Sequence, residues 1–255
     1  MLRIASVVTL MLSMASSSFG ADYGHVHLIA TDPNAAAHWY AKHFGGTAGP
    51  GEKTDRVQFD SVPVIFFGRD AGFKGSVGTA VDHIGFSMAD IQGTLDAAVA
   101  DGAKKLSDVI EFGGMKLAFL EDPWGTKIEI IDDPETRKLH HLHLQSHNPE
   151  ATLDWYELMF GGERKKFKGA LSALYYDEVW LIVSPSEEEF APTKDRAMDH
   201  LGWNFPDLDK AEKALKAKGV KFTLDPIPFR DIKIAFVEGP YGVRIELVQL
   251  PLREK

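Results

Sequence analysis

Two residue types recur at matched distances along this 255-residue chain, and together they could hold divalent metal ions. One set is His25, His83 and Glu129; the other is His141, His200 and Glu246. The spacings are 58 and 46 residues in the first set, 59 and 46 in the second. Imidazole nitrogens and a carboxylate oxygen suit Fe(II), Mn(II), Zn(II) and Ni(II) alike, and three such ligands leave positions open for water or substrate. Each residue alone has a plainer explanation. A His at a strand start is commonly a satisfied surface or core residue. A Glu in a strand often pairs with a cation, and Lys127 and Arg244 each stand two residues before a Glu. Repetition of the whole set at the same spacing favours metal binding over chance.

The composition narrows the ligand choice further. There is no cysteine, so disulfides, thiolate zinc sites, Fe–S clusters and a Cys nucleophile are excluded. Any metal must be held by His, Asp or Glu. The formal charge is −9 and there is no basic block, so nucleic acid is not an expected partner.

The elements that must position these residues are themselves repeated. Ala21–Gly46 and Leu139–Gly162 align with His25 on His141, His27 on His143, Pro33 on Pro149, and Trp39-Tyr40 on Trp155-Tyr156. Val81–Met88 (VDHIGFSM) matches Met198–Phe205 (MDHLGWNF), and Glu121–Ile131 matches Glu238–Val248. Three blocks in one order at an offset of 116 to 117 residues predict two homologous domains, 21–134 and 138–251. Asp132-Asp133-Pro134-Glu135 reads as the linker.

Within each domain the pattern predicts two βαβββ halves. Val26, Leu28 and Ala30 alternate with His25, His27 and Ile29, as in a half-buried strand. Helices are predicted near Asn34–His43, Asp90–Asp101, Glu150–Phe160 and around Leu208, Ala211 and Leu215. Strands are predicted at 57–59, 62–67, 82–88, 115–120, 126–131, 171–176, 179–183, 200–205, 232–237 and 243–249. Alternation puts His83, Gly85 and Ser87 on one face, opposite Ile84, Phe86 and Met88. It does the same for His200, Gly202 and Asn204. Glu129 and Glu246 each sit between apolar neighbours, a costly place for a carboxylate unless a positive group meets it.

Residues 1–20 read as a secretory signal peptide. Arg3 supplies the charged start, Ile4–Met14 is mostly apolar, and Ser18-Phe19-Gly20 fits a small-x-small cleavage site before Ala21. The apolar stretch is short for a membrane span. The expectation is an exported protein, periplasmic or secreted, with no membrane association after cleavage.

These blocks resemble the vicinal oxygen chelate superfamily, which includes glyoxalase I, bleomycin-resistance proteins, fosfomycin-resistance enzymes and extradiol dioxygenases. The resemblance covers essentially residues 21–251. Asp122-Pro123-Trp124-Gly125-Thr126-Lys127-Ile128-Glu129 is similar to the family's D-P-x-G-x-x-x-E ending, whose Glu is a metal ligand. Asp82-His83-Ile84-Gly85 resembles its second metal-binding segment. The ligand His of the family's first strand lies seven residues before the Asp that opens the helix loop. His25 before Asp32 and His141 before Asn148 fit, in preference to His27 and His143.

The resemblance implies an α+β fold of tandem paired βαβββ modules, with curved, mostly antiparallel sheets and helices on the outer face. It implies one or two divalent metals, Fe, Mn, Zn or Ni, with His25, His83 and Glu129 holding one, and His141, His200 and Glu246 another. Modules of this superfamily pair either within a domain or across domains and subunits, and the sequence leaves that open. His27 and His143, two residues along the same strand face, are candidates for proton transfer. Two departures stand out. The place of glyoxalase I's additional carboxylate is near Phe66, and Trp180–Val183 has none either. The Tyr that extradiol dioxygenases carry ten residues before the Glu is replaced by Phe119 and Phe236. The expected activity is that of a metal-dependent lyase, isomerase or dioxygenase acting on a small oxygen-rich molecule, as a monomer or homodimer. The alternative is a metal-free small-molecule binding protein of bleomycin-resistance type.

Overall fold

The computed structural model describes residues 21–51, 53–176 and 178–251. The expected leader, residues 1–20, lies outside them. The chain forms four βαβββ modules in sequence. Module I comprises β1 (Asp22–Ala30), α1 (Pro33–Phe44), β2 (Thr47–Ala48), β3 (Arg56–Phe59) and β4 (Val62–Gly68). Module II comprises β5 (Val81–Ser87), α2 (Ile91–Ala100), β6 (Lys104–Lys105), β7 (Ile110–Phe112), β8 (Met115–Glu121) and β9 (Lys127–Ile131). Module III comprises β10 (Lys138–Ser146), α3 (Pro149–Phe160), β11 (Glu163–Phe167), β12 (Leu171–Tyr176) and β13 (Val179–Pro185). Module IV comprises β14 (Met198–Asn204), α4 (Leu208–Ala217), β15 (Lys221–Phe229), β16 (Ile232–Glu238) and β17 (Arg244–Gln249). Among the described residues no helix is long and apolar enough to cross a membrane.

Each helix begins where a short polar side chain can close it. Asp32, Asp90, Asn148 and Asp207 accept from the backbone N–H three residues on, taking up one of the helix's orphan donors. Gly45, at φ 75°, ends α1 in the left-handed conformation.

The modules pair across the two sequence halves. One sheet runs β15-β16-β17-β14-β1-β4-β3-β2, joining modules IV and I. The other runs β11-β12-β13-β10-β5-β9-β8-β6, joining modules III and II. Most pairs are antiparallel; within each module the first strand lies parallel to the last, as β1 does to β4 and β5 to β9. The antiparallel seams are β1 with β14 and β10 with β5. The fold is thus α+β and mostly antiparallel, with two sheets that each draw on both halves of the chain.

The core explains how both relationships coexist. Rings of α1 pack on module II: Phe44 stacks on Phe86 at 4.2 Å, and Tyr40 reaches it at 5.9 Å. Phe160 of α3 stacks on Trp203 of module IV at 4.4 Å. Helices therefore sit between the two sheets, and the apolar rows facing them form one continuous core. The opposite, concave faces carry smaller apolar clusters, around Leu117, Ile131 and Ile182 on one sheet and around Ile234, Phe236 and Val248 on the other. Because both faces are covered, β1 is buried almost throughout, where alternation predicts a half-buried strand.

Candidate metal centres

Cross-pairing decides which His meets which Glu. In the β1–β14 seam His25 lies opposite Gly202 and His27 opposite His200. In β17, parallel to β14, Glu246 lies beside Gly202. In the other sheet His141 faces Gly85, His143 faces His83, and Glu129 lies beside Gly85. Two clusters result, His25/His27/His200/Glu246 and His83/Glu129/His141/His143, each with donor atoms within 4.8 Å of one another. The expected grouping of His25 with His83 and Glu129, and of His141 with His200 and Glu246, is therefore corrected. The strand holding each first His is hydrogen-bonded to the module carrying the other half's second His and Glu.

The two glycines in these seams are required by close approach. A Cβ on Gly202 would lie 2.0 Å from the His25 ring, and one on Gly85 would lie 2.1 Å from His141. Any larger residue would push the His out of its cluster.

The spacing within each cluster is that of ligands aimed at a common point. His83 Nε2 lies 2.8 Å from Glu129 Oε2 and 3.1 Å from His141 Nε2, while His141 Nε2 lies 3.5 Å from the same carboxylate. In the other cluster His25 Nε2 and His200 Nε2 lie 2.9 and 3.2 Å from Glu246 Oε2. Among the described residues, His25 Nε2 and His27 Nδ1 are buried with no hydrogen-bond partner of acceptable geometry. Buried ring nitrogens left in this state are expensive unless something other than a hydrogen bond satisfies them. Three imidazoles and one carboxylate fit a divalent transition metal well.

Outer carboxylates fix the ring orientations. Asp82 accepts from His83 Nδ1 at 2.6 Å, and Asp199 accepts from His200 Nδ1 at 2.5 Å. Both rings are thereby held with Nε2 directed into the cluster. Lys127 and Arg244 donate to these aspartates at 2.6 Å each, rather than to Glu129 and Glu246. The Asp immediately before each His, with a cation at the same place in both repeats, is a signal that attention to His and Glu alone misses. His140 is also missed. It is fully buried and lies between Asp133 and His141.

Protonation follows from these contacts. Burial acts to raise the Glu129 carboxyl, but the His141 and His83 imidazoles beside it outweigh that and leave the group well below its usual range. Glu246 is brought down to about 2 in the same way, against burial, by His200 and His25. His27 and His143 are pushed well below the usual imidazole range, first by burial and then by neighbouring imidazoles. Both are therefore neutral near pH 7 and available as ligands or as proton acceptors.

The surroundings of the clusters differ. A cavity of about 300 Å³ opens on His83, Glu129, His141 and His143. Its walls are apolar, with Phe112, Met115, Leu117 and Phe119 on one side and Phe167 and Leu171 on the other. Three further clefts are lined by other residues. At the His25 cluster, the Phe67 ring lies 4.2 Å from His27, and the Phe236 ring 5.2 Å from His200. Phe67 takes the place that Ser184 holds in the repeat, where the hydroxyl lies 2.7 Å from His143 Nε2. Phe66, the position compared with the extra glyoxalase I carboxylate, is instead buried in the core against Tyr40.

Residues 25–131 match the model of a glyoxalase-like domain, and residues 138–247 match that of the glyoxalase/bleomycin resistance protein/dioxygenase superfamily. The protein belongs to the vicinal oxygen chelate superfamily, with two such domains in tandem. Its fold is similar to glyoxalase I from Zea mays, at 20% identity and a TM-score of 0.72, covering 90% of this chain and 92% of that one. It is also similar to a putative dioxygenase from Bacillus subtilis subsp. subtilis str. 168, at 14% identity and a TM-score of 0.61, covering 91% and 86%. No curated protein matches the sequence at a significant level. Superfamily membership and the His/Glu clusters together support a divalent metal in a glyoxalase- or dioxygenase-type protein.

Proposed function

We propose that the protein is an exported metal-dependent enzyme, periplasmic or secreted, whose working centre is His83, Glu129 and His141. The observation that carries this reading is the cavity onto which His83, Glu129, His141 and His143 open. About 300 Å³ is the lower end of the range for small-molecule sites. A divalent metal held there would supply electrostatic stabilisation of negative charge developing on a chelated substrate oxygen.

The residues of the chain do the rest. Asp82 and Lys127 keep His83 in one tautomer and orientation. His143, neutral and beside the Ser184 hydroxyl, is positioned to take or return a proton from a substrate carbon or oxygen. The apolar walls exclude water from the reacting end. They also refine the expected substrate: two neighbouring oxygens at one end and a mostly apolar body behind them. Phe119 offers no hydroxyl, so the pattern of extradiol dioxygenases is incomplete, and among the described residues no second carboxylate in the cluster completes that of glyoxalase I.

The test is reconstitution of the leaderless protein with Fe(II), Mn(II), Zn(II) and Ni(II) in turn, followed by assays with alkyl- or aryl-substituted catechols, 2-hydroxy ketones and 2-oxo acids. Oxygen uptake identifies an oxygenase; turnover without it identifies an isomerase or lyase. Less than about 0.1 metal per chain with every ion, with an unchanged melting temperature, would sink the enzyme reading. It would leave the cavity as the seat of a metal-free binding protein. A leader that remains uncleaved on expression in a secreting host would refute export.

A further inference from the structure

His140 stands next to a proposed ligand yet is not one of the clustered donors. It occupies a β-bulge: the β10–β5 register slips between Leu139 and His141, leaving His140 as the extra residue. The bulge turns both imidazoles inward, and His140 is completely buried. We propose that His140 is a positioning residue that fixes His141 as an Nε2 ligand, making the His83–Glu129–His141 centre the tighter metal site of the two. This rests on the metal reading of that centre.

With both imidazoles neutral, the hydrogen bonds take one order. Asp133 Oδ2 lies 3.2 Å from His140 Nε2 and, as a carboxylate, can only accept, so His140 carries its proton on Nε2. His140 Nδ1 then presents a lone pair, 2.7 Å from His141 Nδ1. His141 must donate from Nδ1, which leaves its Nε2 lone pair facing Glu129 and His83. Asp133 is anchored in turn by Lys168 Nζ at 3.0 Å and by the Glu135 backbone N–H at 3.1 Å. Lys168 forms part of the cavity wall, so the chain of bonds runs from the substrate space to the ligand.

The repeat lacks this device. The corresponding slip in β1 falls between Tyr23 and His25, and the extra residue is Gly24. Glycine offers His25 no side-chain acceptor, and among the described residues no side chain takes the place of His140. Hydrogen bonds to a ligating His typically change metal affinity ~10–100-fold.

The experiment titrates metal-free protein with Zn(II) against a chelator, and with Co(II) to read the ligand-field bands. Wild type is expected to show two affinity classes, the tighter removed by Glu129→Gln and retained in Glu246→Gln. His140→Leu is expected to weaken the tighter class ~10–100-fold and to alter its Co(II) spectrum. His140→Asn, whose Oδ1 takes the place of the accepting Nδ1, is expected to restore most of the affinity. The inference is overturned if His140→Leu leaves the tighter class within about twofold of wild type, given the effect size expected of such a bond. It is equally overturned if the Asn variant falls as far as the Leu variant. Should both variants fail to fold without metal, Asp133→Asn decides: weakened binding supports the relay and unchanged binding overturns it. A wild type that binds no metal removes both this inference and the metal reading; two equal sites remove this inference alone.

Discussion

The two donor clusters are near copies in their ligands and unlike in what surrounds them. Both have two facing strands, a glycine under the first imidazole, and an Asp–cation pair behind the second. One opens on a cavity, has Ser184 beside its additional His, and has His140 behind its first. The other has Phe67 against its additional His and Gly24 in the place of His140. Donor sets depend on strand register, which cross-pairing preserves. Cavities depend on hairpins and on the few residues that lean over the site, and these have diverged. Chemistry is therefore expected at one centre, with the other free to become structural.

The largest expected effect breaks the symmetry at the carboxylates. Glu129→Gln removes the anionic ligand of the open centre and should lower turnover by about 10²-fold or more, the scale of losing a principal electrostatic contributor. Glu246→Gln should leave turnover within about twofold while abolishing one metal equivalent. Steady-state rates and metal content of the two variants measure this. Equal losses would mean that both centres work.

Next in size is the cavity itself. Leu117 lines it, and Ile234 holds the equivalent place in the other sheet. Leu117→Trp should fill the space and raise KM, or the Kd of a bound alkylcatechol, by about tenfold or more, equivalent to about 1.4 kcal/mol. Ile234→Trp should leave both unchanged, although either variant loses some stability through overpacking. An unchanged KM in Leu117→Trp would place the substrate elsewhere.

Much of this was legible in the sequence. The repeat predicts four modules, and the helices and most strands fall within a residue or two of expectation. The strands passed over are edges with atypical composition. β15 contains Pro226 and Pro228, tolerated where one side of the strand has no partner to bond. β11 reads Glu-Arg-Lys-Lys-Phe, the charged pattern that keeps an edge from pairing further. The six proposed ligands do converge, together with His27 and His143. Their partition into two centres was not legible, because spacing along the chain is the same whether modules pair within a half or across halves. Nor was the role of His140, which depends on a bulge that alternation cannot anticipate.

A further contrast lies in the turns that present the two glutamates. Asp122 accepts from Trp124 and Thr126 backbone N–H groups and from the Tyr40 hydroxyl, and it is buried. Its repeat counterpart is Gly239. Burial lifts the Asp122 carboxyl to about 6, against the pull of those hydrogen bonds. A folded pKa above the unfolded value means the protonated form stabilises the fold. That contribution is complete below the unfolded value near 4 and is lost as pH rises through about 6, up to about 3 kcal/mol. Metal-free protein should thus lose stability across this window, and Asp122→Asn should flatten the profile there. A slope that persists in Asp122→Asn would assign it to other groups.

The smallest expected effect compares the two tyrosines packed against these turns. The Tyr40 hydroxyl donates to Asp122 Oδ2 at 2.7 Å, both groups being buried. The Tyr156 hydroxyl is buried with no hydrogen-bond partner among the described residues. Tyr40→Phe should cost about 1–2 kcal/mol, the bond itself plus part of the penalty on the carboxylate left short of a donor. Tyr156→Phe removes a hydroxyl that contributes nothing and should change stability by less than about 0.5 kcal/mol, or raise it slightly. Urea midpoints at constant m-value measure both. Similar losses in the two variants would show that Tyr156 has a polar partner after all, such as an ordered water. The two halves would then be more alike at this turn than Gly239 implies.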